Sequence, residues 1–456
     1  MAAKVTRTRR IWALSWVGVA FGLLWLALAV VASFRYTGRD GRIDAVRQYW
    51  DVMALPGSEL SLPMIVVAAV VLLVLLAVGA HRSRAGGAGV ALTLAAVALL
   101  ALSLARAGGE PGRIQRTLEG GLGAAFLDEI PPERRTGATA PLRFSEWARP
   151  LNFDTQGIET IADIPYGAYG ERNQLDLLRA ADNAGTGRPV LLHMHGGGYA
   201  FGRKNLSALP LLHRMARAGW IVVTINYRLA PEARWPAPLV DAKLAVAWIR
   251  QHIAEYGGDP AFIVATGGSA GGNLSLFLAL KAGERDLQPG FEDVDTRIQA
   301  AVPYYAGLED YDFANLGDLL VNHLRNNVLP AERRDDPAAW AELLPATFMH
   351  AAAPPVLIVT GTHDALALIE GARQFAARLQ AVSQSPVLLA EVHGGFHGFD
   401  DTASLRTQAV ARGVHQFLEH VYARWQSVAA GTSPPAAAGG GAAGMSQSGG
   451  NSRVTR

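Results

Sequence analysis

Apolar residues form long uninterrupted runs near the N-terminus and short, separated runs farther along the chain. The long runs cover residues 11–34, 62–80 and 86–105, and the first contains no charged residue. Each is long enough to cross a bilayer as a helix, which takes about 20 apolar residues. The first run is also too long for the core of an ordinary signal peptide. We therefore expect residues 1–107 to form a membrane anchor of about three spans.

Farther along the chain, short apolar runs alternate with segments whose apolar residues recur at helical spacing. Continuous apolar strands that alternate with amphipathic helices are typical of a mostly parallel sheet covered on both faces. In such sheets the active site lies beyond the carboxyl ends of the strands. The pattern predicts strands at 190–194, 221–226, 262–266, 298–306, 355–362 and 386–394.

The remaining segments differ in composition. Residues 108–144 are rich in glycine, proline and arginine, and we expect them to form a linker. Residues 145–428 are then the catalytic domain. Alanine, glycine and serine dominate the end of the chain and cannot build a core, so residues 429–456 are predicted to be a disordered, low-complexity tail.

Composition excludes several function classes. The 456 residues include no cysteine, which excludes disulfides, thiolate metal sites and a cysteine nucleophile. The formal net charge is only +2, so no strong field attracts nucleic acid. We expect no nucleic-acid partner, and no sequence feature indicates an oligomeric state.

The stretch FIVATGGSAGGN, residues 262–273, places one serine among four glycines between a predicted strand and a predicted helix. Gly267 to Gly271 read G-x-S-x-G, the pattern of a nucleophile elbow, in which a sharp turn exposes the serine oxygen. The N-terminus of the following helix favours developing negative charge. A phosphate-binding loop is excluded because no Lys-Ser or Lys-Thr pair follows the glycines. Ser269 is therefore the candidate nucleophile.

A serine nucleophile needs an oriented base, and in this fold the acid and the histidine follow the serine in that order. Asp364 comes directly after one predicted strand, and His393 and His397 come after the next. His393 lies at the strand end and suits a packed position, whereas glycines flank His397 on the loop. We therefore predict His397 as the base. Asp400 and Asp401 follow both histidines, so we expect them at the surface or at a helix cap.

The stretch HMHGGGYAFG supplies donors for an oxyanion. We expect the backbone N–H groups of Gly197 and Gly198 to face a substrate oxygen together with that of Ala270. His193 and His195 have a spacing that could share a metal ion, but no third ligand lies nearby in the sequence. We expect no metal and no cofactor.

Together these motifs resemble the hormone-sensitive-lipase-like family of α/β-hydrolases, and its membrane-anchored bacterial carboxylesterases in particular. The stretches HGGGYAFG, NYRLAPEARWPAPLVDAKLAVAWI, GGDPAFIVATGGSAGGN, THD and HGF carry the resemblance over about residues 165–425. It implies an eight-stranded, mostly parallel sheet and hydrolysis of carboxylic esters, often with short to medium acyl chains. It also implies these roles: Ser269 as nucleophile, Asp364 as acid, His397 as base, and Gly197, Gly198 and Ala270 as the oxyanion hole.

Two positions depart from the family pattern. Gly268 stands where the family often has an acidic residue, and Ala365 stands where it often has proline. Neither departure removes a catalytic group, so they affect the subgroup and the substrate. We expect Tyr227 and Arg228 to brace the backbone, and Glu232 to hold the loop near the oxyanion glycines.

The leading hypothesis is a membrane-anchored serine esterase or lipase that acts on a small-molecule or lipid ester. One alternative is an inactive hydrolase fold used as a binding module, but the set of catalytic groups is intact. Another is a serine amidase or peptidase on the same fold, although nothing resembles a propeller domain that gates peptides. Residues 305–349 are expected to form helices over the active site.

The N-terminal segment MAAKVTRTRR carries four positive charges and no acid. Because the first helix usually dominates orientation, this predicts a cytoplasmic N-terminus. With three spans, the catalytic domain then lies on the outer face of the plasma membrane. Counting charges in every loop gives six inside and seven outside, so the full count does not decide.

Overall fold

The computed structural model describes residues 2–35, 44–182, 185–309 and 318–432. Nearly all of the predicted disordered tail lies outside these residues, as does part of the segment 305–349. Seven helices precede the first strand in the described part of the chain: α1 (Ala2–Ser33), α2 (Asp44–Glu59), α3 (Ser61–Ala77), α4 (Arg84–Gly108), α5 (Glu110–Leu122), α6 (Pro132–Thr139) and α7 (Phe144–Trp147).

Two of the described helical stretches are long and apolar enough to cross a membrane. They are Arg10–Ser33 within α1, and Arg84–Leu122, in which α5 continues α4. Helices α2 and α3 reach this length only as a pair, and a bend of 72° separates them. The three predicted apolar segments thus correspond to two long helices and one bent pair.

The helices α1 and α4 pack against each other through small residues. A Cβ atom on Gly89 would lie 2.7 Å from the carbonyl carbon of Gly18, and one on Gly22 would lie 3.0 Å from the Gly89 oxygen. Large side chains on α3 point outward instead, with Val70 and Leu73 more than half exposed. Small residues inside and large apolar residues outside are the arrangement of helices that pack in lipid.

The segment predicted as a linker is folded. Helix α5 buries Ile114, Leu118 and Leu122, one helical turn apart. Ile114 is packed against Gly413, where a Cβ atom would collide with it. This segment therefore belongs to the packed structure, and its apolar spacing is hidden in the sequence among glycines and arginines.

The domain that follows is built on one eight-stranded sheet, with the order β1-β2-β4-β3-β5-β6-β7-β8. The strands β1 and β2 are antiparallel to their neighbours, and the other pairs are parallel. This confirms the predicted mostly parallel sheet of an α/β-hydrolase. The strands are β1 (Ile158–Pro165), β2 (Gln174–Ala180), β3 (Arg188–Met194), β4 (Ile221–Ile225), β5 (Gly258–Gly268), β6 (Ala300–Tyr304), β7 (Val356–Gly361) and β8 (Val387–Val392).

Helices cover both faces of this sheet, and each face has its own core. Ile249, Phe277 and Phe375 belong to one core, and Met215 and Phe417 belong to the other. The described helices of the domain are α8 (Leu209–Arg217), α9 (Ala237–His252), α10 (Ala270–Leu280), α11 (Asp318–His323), α12 (Pro337–Ala341), α13 (Ile369–Val382) and α14 (Leu405–Ala429).

Candidate active site

Ser269 occupies the turn between β5 and α10. The strand ends at Gly268 and the helix begins at Ala270, so Ser269 alone makes the turn, with φ 54° and ψ −120°. A positive φ is uncommon for a residue with a side chain and marks local strain. The Ser269 N–H donates to the Tyr304 carbonyl at 2.9 Å, which fixes the turn against β6. The local geometry is that of a nucleophile elbow.

The glycines around Ser269 are required by close packing. A Cβ atom on Gly267 or on Gly271 would collide with the carbonyl oxygen of Met194 on β3. A Cβ atom on Gly268 would lie 2.6 Å from the Tyr305 hydroxyl oxygen. Gly268 therefore cannot carry the acidic side chain that the family often has there, because Tyr305 already occupies that space.

The predicted oxyanion loop lies beside the serine. A Cβ atom on the neighbouring Gly196 would be 3.3 Å from the Ser269 Cβ. Gly197 and Gly198 have φ of 114° and 56°, which glycine adopts at little cost. Their N–H groups are not hydrogen-bonded within the described part of the chain. The Gly198 carbonyl is 2.8 Å from His323 Nε2 of α11, which holds the loop in place.

The structure brings Asp364 and His397 together. His397 Nδ1 is 3.0 Å from Asp364 Oδ2 and 3.2 Å from Oδ1. Asp364 is fully buried, and its Oδ1 accepts hydrogen bonds from the N–H groups of Leu366 and Ala367, each at 2.8 Å. This arrangement favours the tautomer with the proton on Nδ1, which leaves Nε2 free to accept a proton.

The electrostatics of His397 favour its charged form. Burial lowers its pKa, but the charge and hydrogen bond of Asp364 oppose this, and Asp51 and Asp401 add to the effect. The net result raises the pKa of His397 from 6.5 to about 9. An imidazolium that forms during a reaction would be stabilised here.

No direct hydrogen bond joins the Ser269 hydroxyl to His397 among the described residues. Tyr305 lies close to both, with its ring centroid 4.6 Å from that of His397 and its hydroxyl beside Gly268. Catalytic hydrogen bonds are often long without substrate and tighten in the complex. Asp364 and His397 are thus joined directly, and Tyr305 links this pair to the turn that holds Ser269.

The second candidate histidine lies elsewhere. His393 is about half exposed, and its Nδ1 is 3.2 Å from the Glu391 carbonyl oxygen. Its backbone N–H donates to Glu110 of α5 at 3.0 Å. Of the two histidines, only His397 contacts Asp364 in the described part of the chain.

Two expectations for polar residues were wrong. Asp400, expected at the surface or at a cap, is buried and accepts a hydrogen bond from the Tyr305 hydroxyl. Burial raises the pKa of Asp400 to about 6. Glu232, expected to hold the loop, is exposed, and its side chain has no hydrogen bond within the described residues. Arg234 holds this loop instead, by donating to the carbonyls of Asn326 and Leu329.

Tyr227 and Arg228 brace the backbone as expected. The Tyr227 hydroxyl donates to the His195 carbonyl at 2.8 Å, and its ring stacks on the His195 imidazole. Arg228 forms an ion pair with buried Asp241 at 2.7 Å. These contacts fix the strand that leads into the oxyanion loop.

The two histidines of that strand have separate partners. His193 Nδ1 is 2.9 Å from the Thr224 hydroxyl, and His195 Nδ1 is 2.7 Å from the Gly196 carbonyl. Burial lowers the pKa of His193 to about 3 and that of His195 to about 4. Among the described residues, no group of three or more histidine, aspartate or glutamate side chains is arranged to hold a metal ion.

Sequence reasoning missed two residues near the site. Tyr305 follows β6, and its position at the carboxyl end of a central strand was a usable signal. Asp51 lies on α2, where it is buried and its carboxylate oxygens are both 3.4 Å from the Ala365 N–H nitrogen. Nothing in the sequence links Asp51 to Ala365, because 314 positions separate them.

Comparison with known proteins identifies the family. The family described as BD-FAE matches residues 175–379. The probable carboxylic ester hydrolase LipM of Mycobacterium tuberculosis is 40% identical over 352 residues, which cover 73% of this chain and 78% of LipM. The esterase LipQ of the same organism is 40% identical over 280 residues, which cover 60% of this chain and 66% of LipQ.

A solved structure shares the fold. The inhibited esterase B of Lactobacillus rhamnosis superposes with a TM-score of 0.51 at 18% identity, and the match covers 62% of this chain and 92% of that one. At this identity the likeness concerns the fold alone. The sequence relatives carry the assignment further: the chain belongs to the hormone-sensitive-lipase-like esterases of the α/β-hydrolase fold, and it is a carboxylic ester hydrolase.

Proposed function

We propose that the protein is a membrane-anchored serine hydrolase that cleaves carboxylic esters through an acyl-enzyme on Ser269. The observation that carries the proposal is the position of Ser269. It makes a strained turn between β5 and α10, beside glycines with free N–H groups. The pair formed by His397 and Asp364 supplies an oriented base on the neighbouring loops.

In the first half of the reaction, His397 Nε2 takes the proton of the Ser269 hydroxyl as the oxygen attacks the ester carbonyl. The N–H groups of Gly197, Gly198 and Ala270 stabilise the oxyanion that forms. The imidazolium, held by Asp364, then gives its proton to the departing alcohol. The C–O bond of the ester breaks, and the acyl group stays on the serine.

The second half returns the enzyme to its starting state. A water molecule gives a proton to His397 and attacks the acyl carbonyl. The oxyanion forms again in the same place, and it collapses to release the carboxylic acid. The proton passes from His397 back to Ser269, so every step uses protein groups and water.

The proposal also includes where the protein lies in the cell, since the N-terminal helices are proposed to anchor it in a membrane. The length of α1 and of the α4–α5 stretch, together with the outward apolar residues of α3, supports insertion of the N-terminal helices in a bilayer. The catalytic domain then acts on small-molecule or lipid esters at the outer face of the plasma membrane. Protease added to intact spheroplasts tests the side: digestion beyond residue 145 supports it, and protection until lysis contradicts it.

Replacement of the nucleophile tests the chemistry. We expect Ser269→Ala to lower turnover of nitrophenyl esters by several orders of magnitude, as in other serine hydrolases. Ser275→Ala is a matched control, since Ser275 lies on the same helix with its hydroxyl bonded to the Gly272 carbonyl. Ser269→Ala with wild-type turnover would contradict the mechanism. A folded wild type that cleaves no ester would favour a binding module, and faster cleavage of matched amides would favour an amidase.

A further inference from the structure

The membrane anchor contributes one carboxylate to the active-site loops. Asp51 of α2 is buried, although it belongs to a helix between two apolar segments. Both of its oxygens are 3.4 Å from the backbone nitrogen of Ala365, the residue after the triad acid. The carboxylate also faces His397, whose backbone N–H and imidazole both interact with its charge.

These contacts span the two loops that carry the acid and the base. The loops already approach closely, because a Cβ atom on Gly361 would collide with the Gly395 carbonyl oxygen. Asp51 adds a third element, which is hydrogen-bonded to the acid loop and faces the base loop. A shift of either loop changes the distance between Asp364 and His397, so a group that holds both loops affects the geometry of the base.

Buried polar contacts fix α2 in this place. Glu59, at the end of α2, forms an ion pair with Arg406, and both side chains are almost fully buried. Glu59 also accepts a hydrogen bond from the Ser404 hydroxyl at 2.5 Å. Arg35, just after α1, pairs with Glu370 of α13 at 2.5 Å. These contacts hold the N-terminal helices against the side of the domain that carries the catalytic loops, in addition to the covalent connection through the chain.

We propose that Asp51 is a positioning residue of the catalytic triad, and that the active site is complete only when the anchor helix α2 is docked on the domain. The proposal rests on the proposed roles of Ser269, Asp364 and His397. Asp51 touches no reacting atom; it holds the backbone of the acid loop and lies against the base loop. The anchor thus has a part in catalysis beyond attachment to the membrane.

Where its carboxyl is ionised, Asp51 also adds negative charge near the base. The groups that face His397 are Asp364, Asp51, Asp401 and the ring of Tyr305, with Asp400 behind the tyrosine. A nearby carboxylate favours the imidazolium and so moves the acid limb of kcat/KM to higher pH, because only neutral imidazole accepts the serine proton. Removal of the Asp51 charge should move this limb to lower pH.

Two substitutions in the full-length protein, purified in detergent, separate these effects. Asp51→Ala removes the acceptor and the charge, and we expect kcat per folded molecule to fall about 10- to 100-fold with little change in KM, as for a misplaced base. Asp51→Asn keeps one acceptor oxygen, so its kcat at high pH should stay closer to that of the wild type. Its acid limb should lie at lower pH.

Glu159→Gln is the control, because it neutralises a carboxylate of β1 that pairs with Arg179, at the edge of the sheet opposite the strands that precede the triad loops. We expect neither its kcat nor its acid limb to change. Wild-type kcat in Asp51→Ala, or an unshifted limb in Asp51→Asn, would overturn the proposal. If Asp51→Ala does not fold, the limb of Asp51→Asn decides. Activity that survives Ser269→Ala would instead overturn the proposed mechanism, so the two failures are distinguishable.

Discussion

The N-terminal helices and the sheet domain pack by opposite rules. The sheet domain puts its largest apolar side chains inside, with Trp220 and Phe262 fully buried against the strands. The helical bundle puts glycines at the contact of α1 and α4 and turns Trp12 and Leu73 outward. A soluble domain gains stability by removing apolar surface from water, whereas helices in lipid gain little from burial and depend on close contact.

Because the two regions pack by different rules, the contacts at the junction between them must fix their relative position. Where α2 meets the domain, buried polar contacts join them: Glu59 with Arg406, and Asp51 with the Ala365 N–H. Buried polar contacts contribute little net stability, but they fix one geometry because a misplaced group is left unpaired. The junction therefore sets the position of α2 relative to the catalytic loops.

The largest expected effect lies in the catalytic region. His397→Ala should lower kcat/KM by at least about 1,000-fold, because the serine loses its base. His393→Ala is the control and should reduce activity only modestly, since this histidine is half exposed and has no contact with Asp364. Steady-state kinetics on both variants checks this, and the reverse order of effects would mean that the base is His393.

The next effect tests the junction. Glu59→Gln leaves the buried guanidinium of Arg406 without an opposite charge, and breaking such a pair costs about 3–5 kcal/mol. We expect looser docking of α2 and a loss of activity that is smaller than that of His397→Ala. Limited proteolysis between α1 and α3 measures docking. Unchanged protease resistance together with unchanged activity would show that the pair does not fix the anchor.

Glycine substitutions should separate the two regions. Gly271→Ala forces a methyl group against the Met194 carbonyl at the elbow and should cost about 1–3 kcal/mol of domain stability, with loss of activity. Gly89→Ala pushes α4 away from α1 and should affect the bundle first. Gly120→Ala is the control, because nothing lies within 4 Å of its Cβ position. Thermal unfolding and esterase assays report the two regions; equal loss of activity in both variants would contradict their separation.

The smallest effect is expected on the outward face of the bundle. Leu73→Ala removes a side chain that is 67% exposed, so we expect a change in stability within about 0.5 kcal/mol. Leu100→Ala, inside the bundle, should cost about 2–5 kcal/mol because it leaves a cavity. Unfolding in detergent compares them, and equal losses would mean that Leu73 is not a lipid-facing residue.

The parallel strands and the turn around Ser269 could be predicted from the sequence because each depends on residues that are close together along the chain. The buried parallel strands are continuous apolar runs, and the glycines around Ser269 mark a turn that packs against β3. The strand β1 was not predicted because it lies at the edge of the sheet, is mostly half-buried or exposed, and has an irregular register between Ile161 and Ile164. Its neighbour β2 lies inside the sheet, but its buried run Leu175–Leu178 is short and includes Asp176. Their presence was predicted only through the family resemblance.

The rest depends on contacts between distant parts of the chain. Asp51 looked like part of an anchor, and only the docking of α2 brings it to Ala365. Asp400 looked like a surface residue because its partner, the Tyr305 hydroxyl, is 95 positions away. The helices α5 and α6 looked like a linker because glycine and arginine conceal the apolar face that packs on α14. Pattern along the chain cannot show which polar groups meet after folding.

The chemical identity of the nucleophile is the central claim, and mass spectrometry of a trapped adduct tests it directly. The full-length protein would be treated with a fluorophosphonate and digested, and its peptides would be searched for the modified one. We predict one adduct, on Ser269, that appears in step with loss of esterase activity and is absent from His397→Ala treated for the same short time. Complete inactivation with an adduct on another residue, and Ser269 unmodified, would contradict the account.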